Sequence, residues 1–202
     1  MTLVRRLVLS MLMLAFAPVS ALAGSPPAVT AGDRSIGRAD APVTVMEYAS
    51  FACSHCADWH QVVYPEFKRR FIDTGQVRLV FRNLPTSPAE LSMPAAALAR
   101  CAAPEHFYDV AGALMQGQRA VLLGGDRTVW YDAGVAVSGR TRAQINSCVA
   151  LPAIRAAIEA DIDGAVAAGV TGTPTLFVNG KLVADRSLGG LAEMITPLVA
   201  AR

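Results

Sequence analysis

The chain has 202 residues, of which 53% are hydrophobic, and carries a formal net charge of +2. Residues 1–23 contain Arg5 and Arg6 and no acidic residue, so without them the 18 basic and 16 acidic residues become sixteen of each. This balance predicts no nucleic-acid partner. The remaining length suits one domain, or one domain with a large insertion.

The first 23 residues have the pattern of a secretory signal peptide. Two arginines precede an uncharged apolar run from Leu7 to Phe16, Pro18 ends the run, and Ala21-Leu22-Ala23 forms a cleavage motif. An uncleaved N-terminal anchor is the alternative, although the run is short for a membrane span. Residues 24–41, rich in Pro, Gly and Ala, predict a loose N-terminal arm.

A βαβ unit follows the arm. The apolar run at residues 43–50 predicts a strand covered on both faces. Cys53-Ser54-His55-Cys56 comes next, and residues 57–71 predict a helix that Pro65 is expected to kink. Residues 77–81 predict a second strand, parallel to the first.

The pattern then becomes helical from residue 87 to residue 169. Helices are predicted over residues 95–101, 104–116, 128–137, 141–149 and 153–168. The last is the clearest, since one apolar stripe runs along it through Ile154, Ile158, Ile162 and Val166. About eighty residues of helix thus interrupt an α/β pattern.

The sheet resumes with a hairpin. Residues 175–178 and 181–183 are apolar runs joined by Asn179-Gly180. This dipeptide favours a type I′ turn, which needs two positive φ angles. A final helix is predicted over residues 188–200.

The Cys-x-x-Cys pair at the strand-to-helix junction is a redox signal. Cys53 is the predicted nucleophile, because the unpaired N–H groups and positive dipole end of the helix stabilise a thiolate there. Cys56, one turn inside the helix, is the predicted resolving thiol. The alternatives are a structural disulfide, or a zinc site with His60 and a fourth ligand from Cys101 or Cys148.

Two ionisable residues accompany the pair. His55, between the cysteines, is expected to stabilise the thiolate of the nucleophile, unless it is an exposed turn residue without a role. Glu47 is the only charge in the first strand, and it could relay a proton to or from Cys56, unless it lies at the strand end in solvent. His60 and His106 are interpreted as ordinary helix-surface residues.

The elements in this order resemble the thioredoxin fold, and the helical interruption resembles the DsbA-like branch of that superfamily, the exported thiol oxidases. The resemblance rests on Cys53-Ser54-His55-Cys56, on Glu47, and on the run from Gly172-Thr173-Pro174 to Gly180. Ser54 departs from the proline of better-known oxidases, a position associated with redox poise in the family. The fold it implies is α/β: a βαβ and a ββα unit around a central sheet, with an inserted helical subdomain.

The domain division expected from this resemblance places a thioredoxin-fold domain at residues 42–85 and 170–202, with the helical subdomain at residues 86–169. The resemblance also implies a cis bond before Pro174, which would let Thr173 bind an extended substrate peptide as an added strand. A trans proline that begins an edge strand is the alternative. For Glu47 the resemblance implies the relay role.

The second pair of cysteines, Cys101 and Cys148, is expected to form a structural disulfide, because an exported protein meets an oxidising compartment. The loop they would close has 48 residues, both ends included. The chain-entropy model gives about 4 kcal/mol for a loop of that length. Two buried free thiols are the alternative.

The sequence therefore predicts an exported, periplasmic thiol:disulfide oxidoreductase that donates its Cys53–Cys56 disulfide to folding proteins through a mixed disulfide on Cys53. By resemblance, a quinone-linked membrane protein re-oxidises it, and no organic cofactor or metal is implied. A monomer is expected, because residues 24–41 are too few for an added dimerisation domain. The rivals are a reductase or isomerase kept reduced by a membrane electron donor, and a metal-binding or chaperone-like module.

Overall fold

The computed structural model describes residues 24–201, so the predicted signal peptide lies outside the described residues. A five-stranded sheet has the order β1-β3-β2-β4-β5. Its strands are β1 (Arg34–Ile36), β2 (Val43–Ala49), β3 (Val77–Asn83), β4 (Thr175–Val178) and β5 (Lys181–Leu182). β2 pairs parallel with β3 and antiparallel with β4, while β1 and β5 pair antiparallel at the edges. The predicted βαβ and ββα units of a thioredoxin fold are confirmed.

The helices fall into two groups. Those attached directly to the sheet are α1 (Ser54–Val62), α2 (Tyr64–Phe67) and α8 (Leu188–Ala200). Between β3 and β4 lie α3 (Ala89–Cys101), α4 (Phe107–Leu122), α5 (Arg127–Ala136), α6 (Arg142–Val149) and α7 (Pro152–Ala167), which we call the helical insertion. Across residues 24–201, none of the helices has the length and apolar character needed to span a bilayer.

The long helix predicted after the cysteine pair is interrupted near Pro65. Pro65 cannot donate a backbone hydrogen bond, and its ring crowds the preceding turn, so α1 ends at Val62 and α2 begins at Tyr64. A π-helical turn, Lys68–Ile72, then leads towards β3. There the Asp73 N–H donates to the Lys68 carbonyl at 2.9 Å. Val63, between α1 and α2, keeps a helical φ and ψ; its N–H donates to the Trp59 carbonyl at 2.9 Å and its carbonyl accepts from the Phe67 N–H at 3.0 Å. The predicted kink at Pro65 is therefore confirmed.

The N-terminal arm is more ordered than the sequence predicts. β1 pairs with β3 in it, and Asp33 forms an ion pair with Arg82 at 2.9 Å in which both side chains are buried. The Arg82 guanidinium also donates to the carbonyls of Pro27 and Ala28 at 3.0 and 2.9 Å. A strand of three residues is too short to show a periodic pattern in the sequence. It forms here because β3 has an unpaired edge to which it can hydrogen-bond.

The apolar stripe predicted on α7 is only partly correct. Ile158 is buried, but Val166 is 72% exposed. The buried side of the helix includes Asp161 instead, whose carboxylate pairs with Arg100 at 2.5 Å and accepts from the Asn83 N–H at 2.8 Å. The helical pattern did not indicate this buried acid, because its partners come from α3 and β3.

Side-chain alternation in β2 divides the core between the two faces of the sheet. Val45 packs in the cluster that contains Trp59 of α1, and Met46 and Tyr48 pack in the cluster that contains Ala165 of α7. Residue 47 therefore faces the α1 side. This parity places the single carboxylate of the strand under the helix that begins at the cysteine pair.

The hairpin and the second cysteine pair are as expected. Asn179 and Gly180 have φ angles of 46° and 80°, as a type I′ turn requires. Cys101 at the end of α3 is bonded to Cys148 in α6, with an S–S distance of 2.08 Å. This bond ties two helices of the insertion together.

Candidate active site

The cysteine pair stands where β2 runs into α1. Cys53 is the N-cap residue in an extended conformation, with φ −91° and ψ 116°, and Cys56 lies in the first turn of the helix. Both are in the dithiol form. Cys53 is half-buried, whereas Cys56 has no exposed surface. One sulfur is therefore open to attack and the other is not.

The electrostatics of the two thiols are opposite. The pKa of Cys53 is lowered to about 5, chiefly by a hydrogen bond from the Cys56 side chain, with further donors from the Thr173 side chain and the backbone N–H groups of Cys56 and His55. Burial of the sulfur works against this lowering. Burial raises the pKa of Cys56 far above that of an ordinary thiol, and the charges of Cys53 and Glu47 add to it. At neutral pH the pair therefore holds one thiolate, on Cys53.

Glu47 lies beneath the pair, fully buried, and not at a strand end in solvent. Its two carboxylate oxygens lie 3.0 and 3.2 Å from Nε2 of His60, whose side chain is only 3% exposed. The interpretation of His60 as a helix-surface residue is therefore wrong. The signal was available, because residues 56 and 60 are four apart and share one helix face.

His55 points away from this buried pair. Its side chain is exposed and lines an open groove of about 300 Å³ beside the cysteines, together with Trp59, Val62, Pro174 and Arg186. The contribution of His55 to the Cys53 thiolate comes through its backbone N–H. His106, expected at the surface, has a side chain 42% exposed and lies 2.8 Å from Asp109.

The groove is bounded by the loop before β4. The Thr173–Pro174 bond is cis, as the resemblance implies, and the protonated Cys53 thiol donates to the Thr173 carbonyl at 3.3 Å. Arg186 donates from Nη1 to the Pro174 carbonyl at 2.6 Å, and its own carbonyl accepts from the Trp59 indole at 3.0 Å. Sequence analysis missed Arg186, because a loop position carries no periodicity.

A second residue missed by the sequence is Gln118 of α4. Its side chain is buried and donates from Nε2 to the carbonyls of Phe51 and Cys53 at 2.8 and 2.9 Å. It lies between the buried residues Leu114 and Val121, so a polar residue on an apolar stripe could have been the signal. The predicted helix ended at residue 116, which left Gln118 outside it.

The other candidate ligands do not gather around the pair. Cys101 and Cys148 are bonded to each other, and His60 is engaged with Glu47. Among residues 24–201, no three His, Cys, Asp or Glu side chains form a group that could hold a metal ion. The arrangement at the site is that of two thiols, a buried acid and an open groove.

Comparison with known proteins identifies the family of the chain. Residues 29–196 match the sequence profile of the family described as Thioredoxin. Relatives from Rickettsia bellii and Rickettsia prowazekii, each named as a protein-disulfide oxidoreductase, are 29% and 30% identical over 168 residues, which is 81% of this chain. The chain spans only 63% and 60% of the length of those relatives.

Solved structures of two other proteins share the fold. Wolbachia pipientis alpha-DsbA1 is 26% identical, with a TM-score of 0.73 over 86% of this chain and 94% of that protein. Bacillus subtilis BdbD in its oxidised form shares the fold, with a TM-score of 0.75, 21% identity, and coverage of 89% and 98%. The profile match shows that the chain belongs to the thioredoxin family, and the cysteine pair at the start of α1 and the solved structures make it similar to the DsbA proteins.

Proposed function

We propose that the protein is a thiol:disulfide oxidant that transfers the Cys53–Cys56 disulfide to other proteins. The observation that carries this proposal is the asymmetry of the pair: one accessible sulfur with a pKa of about 5, and one fully buried sulfur with a raised pKa. A low-pKa thiol is a good leaving group. It also stabilises the dithiol relative to the disulfide, which makes the disulfide a stronger oxidant.

The transfer takes place in two exchanges. A substrate thiolate attacks the Cys53 sulfur of the disulfide, the S–S bond breaks, and Cys56 leaves with the electron pair and takes up a proton. A second substrate thiolate then attacks the substrate sulfur of the mixed disulfide, and Cys53 leaves as a thiolate. The substrate loses two electrons and gains a disulfide, and the enzyme becomes the dithiol.

Glu47 is assigned to the proton transfer at Cys56. Cys56 leaves inside the protein, where burial and the charge of Glu47 both oppose a thiolate, so it needs a proton as the bond breaks. The Glu47–His60 contact at 3.0 Å lies beneath the pair and is shielded from water. Glu47 is therefore the proposed proton relay, and His60 the residue that orients it.

Substrate binding is assigned to the groove beside the pair. Val62 and Pro174 line this groove. We assign the backbone of Thr173, the half-buried residue before Pro174, to pair with an extended peptide as an added strand. His55 at the rim would contact the bound peptide. The proposed substrates are unfolded or partly folded exported proteins that contain cysteines.

The cellular setting is part of the same proposal. Residues 1–23 are assigned as the signal peptide that exports the protein to the periplasm, where a membrane redox partner would restore the disulfide. Cys101–Cys148 is assigned a structural role, since it lies in the helical insertion. The proposed working form is a monomer, which light scattering of the mature protein can test.

Trapping experiments test the roles of the two thiols. Incubated with a peptide disulfide, the Cys56→Ser variant should accumulate a mixed disulfide on Cys53, because nothing resolves it. Cys53→Ser should form no adduct, since its remaining thiol is buried. Mass spectrometry reports both results, and equal trapping by the two variants would contradict the assignment.

A redox titration of the mature protein against glutathione separates an oxidant from a reductase. An oxidant should remain largely dithiol in a buffer where an ordinary structural disulfide stays intact. A strongly reducing potential, or disulfide-shuffling activity in a tight dimer, would favour the reductase or isomerase instead.

A further inference from the structure

The buried amide of Gln118 connects the helical insertion to the turn that carries Cys53. One nitrogen, Nε2, donates to the Phe51 carbonyl at 2.8 Å and to the Cys53 carbonyl at 2.9 Å. The residue is 1% exposed, so neither bond is exchanged with water. Gln118 belongs to α4, more than sixty positions along the chain from the turn it holds.

The Cys53 carbonyl oxygen accepts hydrogen bonds from three donors. It accepts from the backbone N–H groups of Cys56 and Ala57 at 3.0 and 3.1 Å, which start α1, and Gln118 adds a third donor from the side. The Phe51 carbonyl, two residues earlier, is held by the same amide nitrogen. The Phe51–Ala52 and Cys53–Ser54 peptide units are thereby tied to one point in α4.

The conformation of this turn decides what surrounds the Cys53 sulfur. Cys53 is the N-cap of α1 and adopts an extended φ and ψ. From this position its sulfur accepts hydrogen bonds from the backbone N–H groups of His55 and Cys56, and these bonds are among the causes of its lowered pKa. A small rotation of the Cys53 peptide would turn the sulfur away from these donors, because the effect of a helix N-terminus is confined to its first turn.

We propose that Gln118 is a positioning residue of the redox site, through which the helical insertion holds the Phe51–Cys53 turn so that the Cys53 sulfur faces the N-terminus of α1. This inference rests on the proposed function, in which Cys53 is the attacking and leaving sulfur. If Gln118 acts in this way, the helical insertion helps to set the redox potential of the Cys53–Cys56 pair. The bland alternative is that Gln118 only satisfies two buried carbonyls and contributes to stability alone.

The test compares two variants, each of which replaces a glutamine amide with a methionine side chain of similar volume. Gln118→Met keeps the length of the side chain and removes both hydrogen bonds. Gln61→Met is the matched control, since the Gln61 amide also links α1 to α4, donating to the Met115 carbonyl at 3.1 Å. The pKa of Cys53 is followed by thiolate absorbance, and the equilibrium with glutathione is measured for both variants and the parent.

In Gln118→Met the pKa of Cys53 should rise by about one unit, and the equilibrium constant for oxidation of glutathione should fall about tenfold. Both quantities should stay at the parent value in Gln61→Met. If Gln118→Met is destabilised equally in its reduced and oxidised states, with an unchanged pKa and equilibrium, the residue is only structural and the proposal is wrong.

Two further results remain informative. If Gln118→Met does not fold, Gln118→Asn keeps the amide on a side chain one carbon shorter, and it should shift the pKa of Cys53 in the same direction by less. An Asn variant that folds with parent values of both quantities overturns the proposal. If Cys53 of the parent titrates like an ordinary thiol, the proposed function fails first, which is a result distinct from parent-like behaviour of the Gln118 variants.

Discussion

The stability difference between the reduced and the oxidised protein should change with pH, because only the reduced protein has a Cys53 thiolate. The pKa of Cys53 is lowered from 9.0 to about 5 in the folded protein. A group whose pKa falls on folding adds stability in full above its unfolded pKa and loses it as pH falls through the folded pKa. The relevant window is therefore pH 5 to 9.

Two free energies compete within this window. Each pH unit above 5 is worth about 1.4 kcal/mol to the reduced fold, which gives about 4 kcal/mol at pH 8, or roughly half of that once water screens the half-buried sulfur. The Cys53–Cys56 disulfide closes a loop of four residues, and the chain-entropy model gives it about 2 kcal/mol in favour of the oxidised fold. The oxidised protein should thus be the more stable by about 2 kcal/mol at pH 5, and this advantage should shrink as the pH rises and be lost by about pH 8.

Thermal unfolding of the two forms at pH 5, 6, 7 and 8 measures this difference. For a domain of this size 1 kcal/mol corresponds to about 2–4 °C in Tm, so the difference in Tm between the two forms should narrow by about 4–8 °C from pH 5 to pH 8. Ionisation of the carboxylates affects both forms and cancels in the comparison. The Cys53→Ser variant, which has neither the thiolate nor the disulfide, is the control. Relative to this variant, the reduced parent should gain stability from pH 5 to 8 and the oxidised parent should not.

A constant difference in Tm across these pH values would refute the reasoning, because it would mean that Cys53 does not titrate near 5. A reduced form that gains stability only above pH 8 would lead to the same conclusion. In either case the low-pKa leaving group, on which the oxidant role depends, would be absent.

The remaining predictions concern the groove and a buried ion pair. Arg186→Met removes the donor to the Pro174 carbonyl and should raise the KM for a peptide thiol several-fold with an unchanged Cys53 pKa. Arg155→Met, at an exposed position, is the control. An equal KM in the two variants would contradict a role of Arg186 in the groove. Asp161→Asn leaves the buried Arg100 without its charged partner and should cost about 3–5 kcal/mol in urea unfolding. Glu159→Gln, in an exposed pair on the same helix, should cost less than about 1 kcal/mol, and a similar loss in both would show that burial does not matter here.

The sequence predicted much of the fold because the signals involved are local. The Cys-x-x-Cys motif between a strand and a helix, the Asn179-Gly180 turn and the helical periodicity of α8 each depend on neighbouring residues, and the structure contains all three elements. β2 was recognised for the same reason, since a strand covered on both faces is a continuous apolar run. The kink at Pro65 was predicted for the same reason, since its cause is also local.

The tertiary structure alone decided how the site is completed. His60 was taken for a surface residue and proved to contact Glu47 beneath the pair, and Gln118 reaches the Cys53 turn from a helix far along the chain. Arg186 meets Pro174 and Trp59 only because β4, the last loop and α1 converge at the groove. Contacts between distant segments leave no periodic signal, because the partner of each polar residue lies far along the chain and cannot be inferred from neighbouring residues. The sequence determined which sulfurs could react, and long-range packing determined which charges and hydrogen bonds surround them.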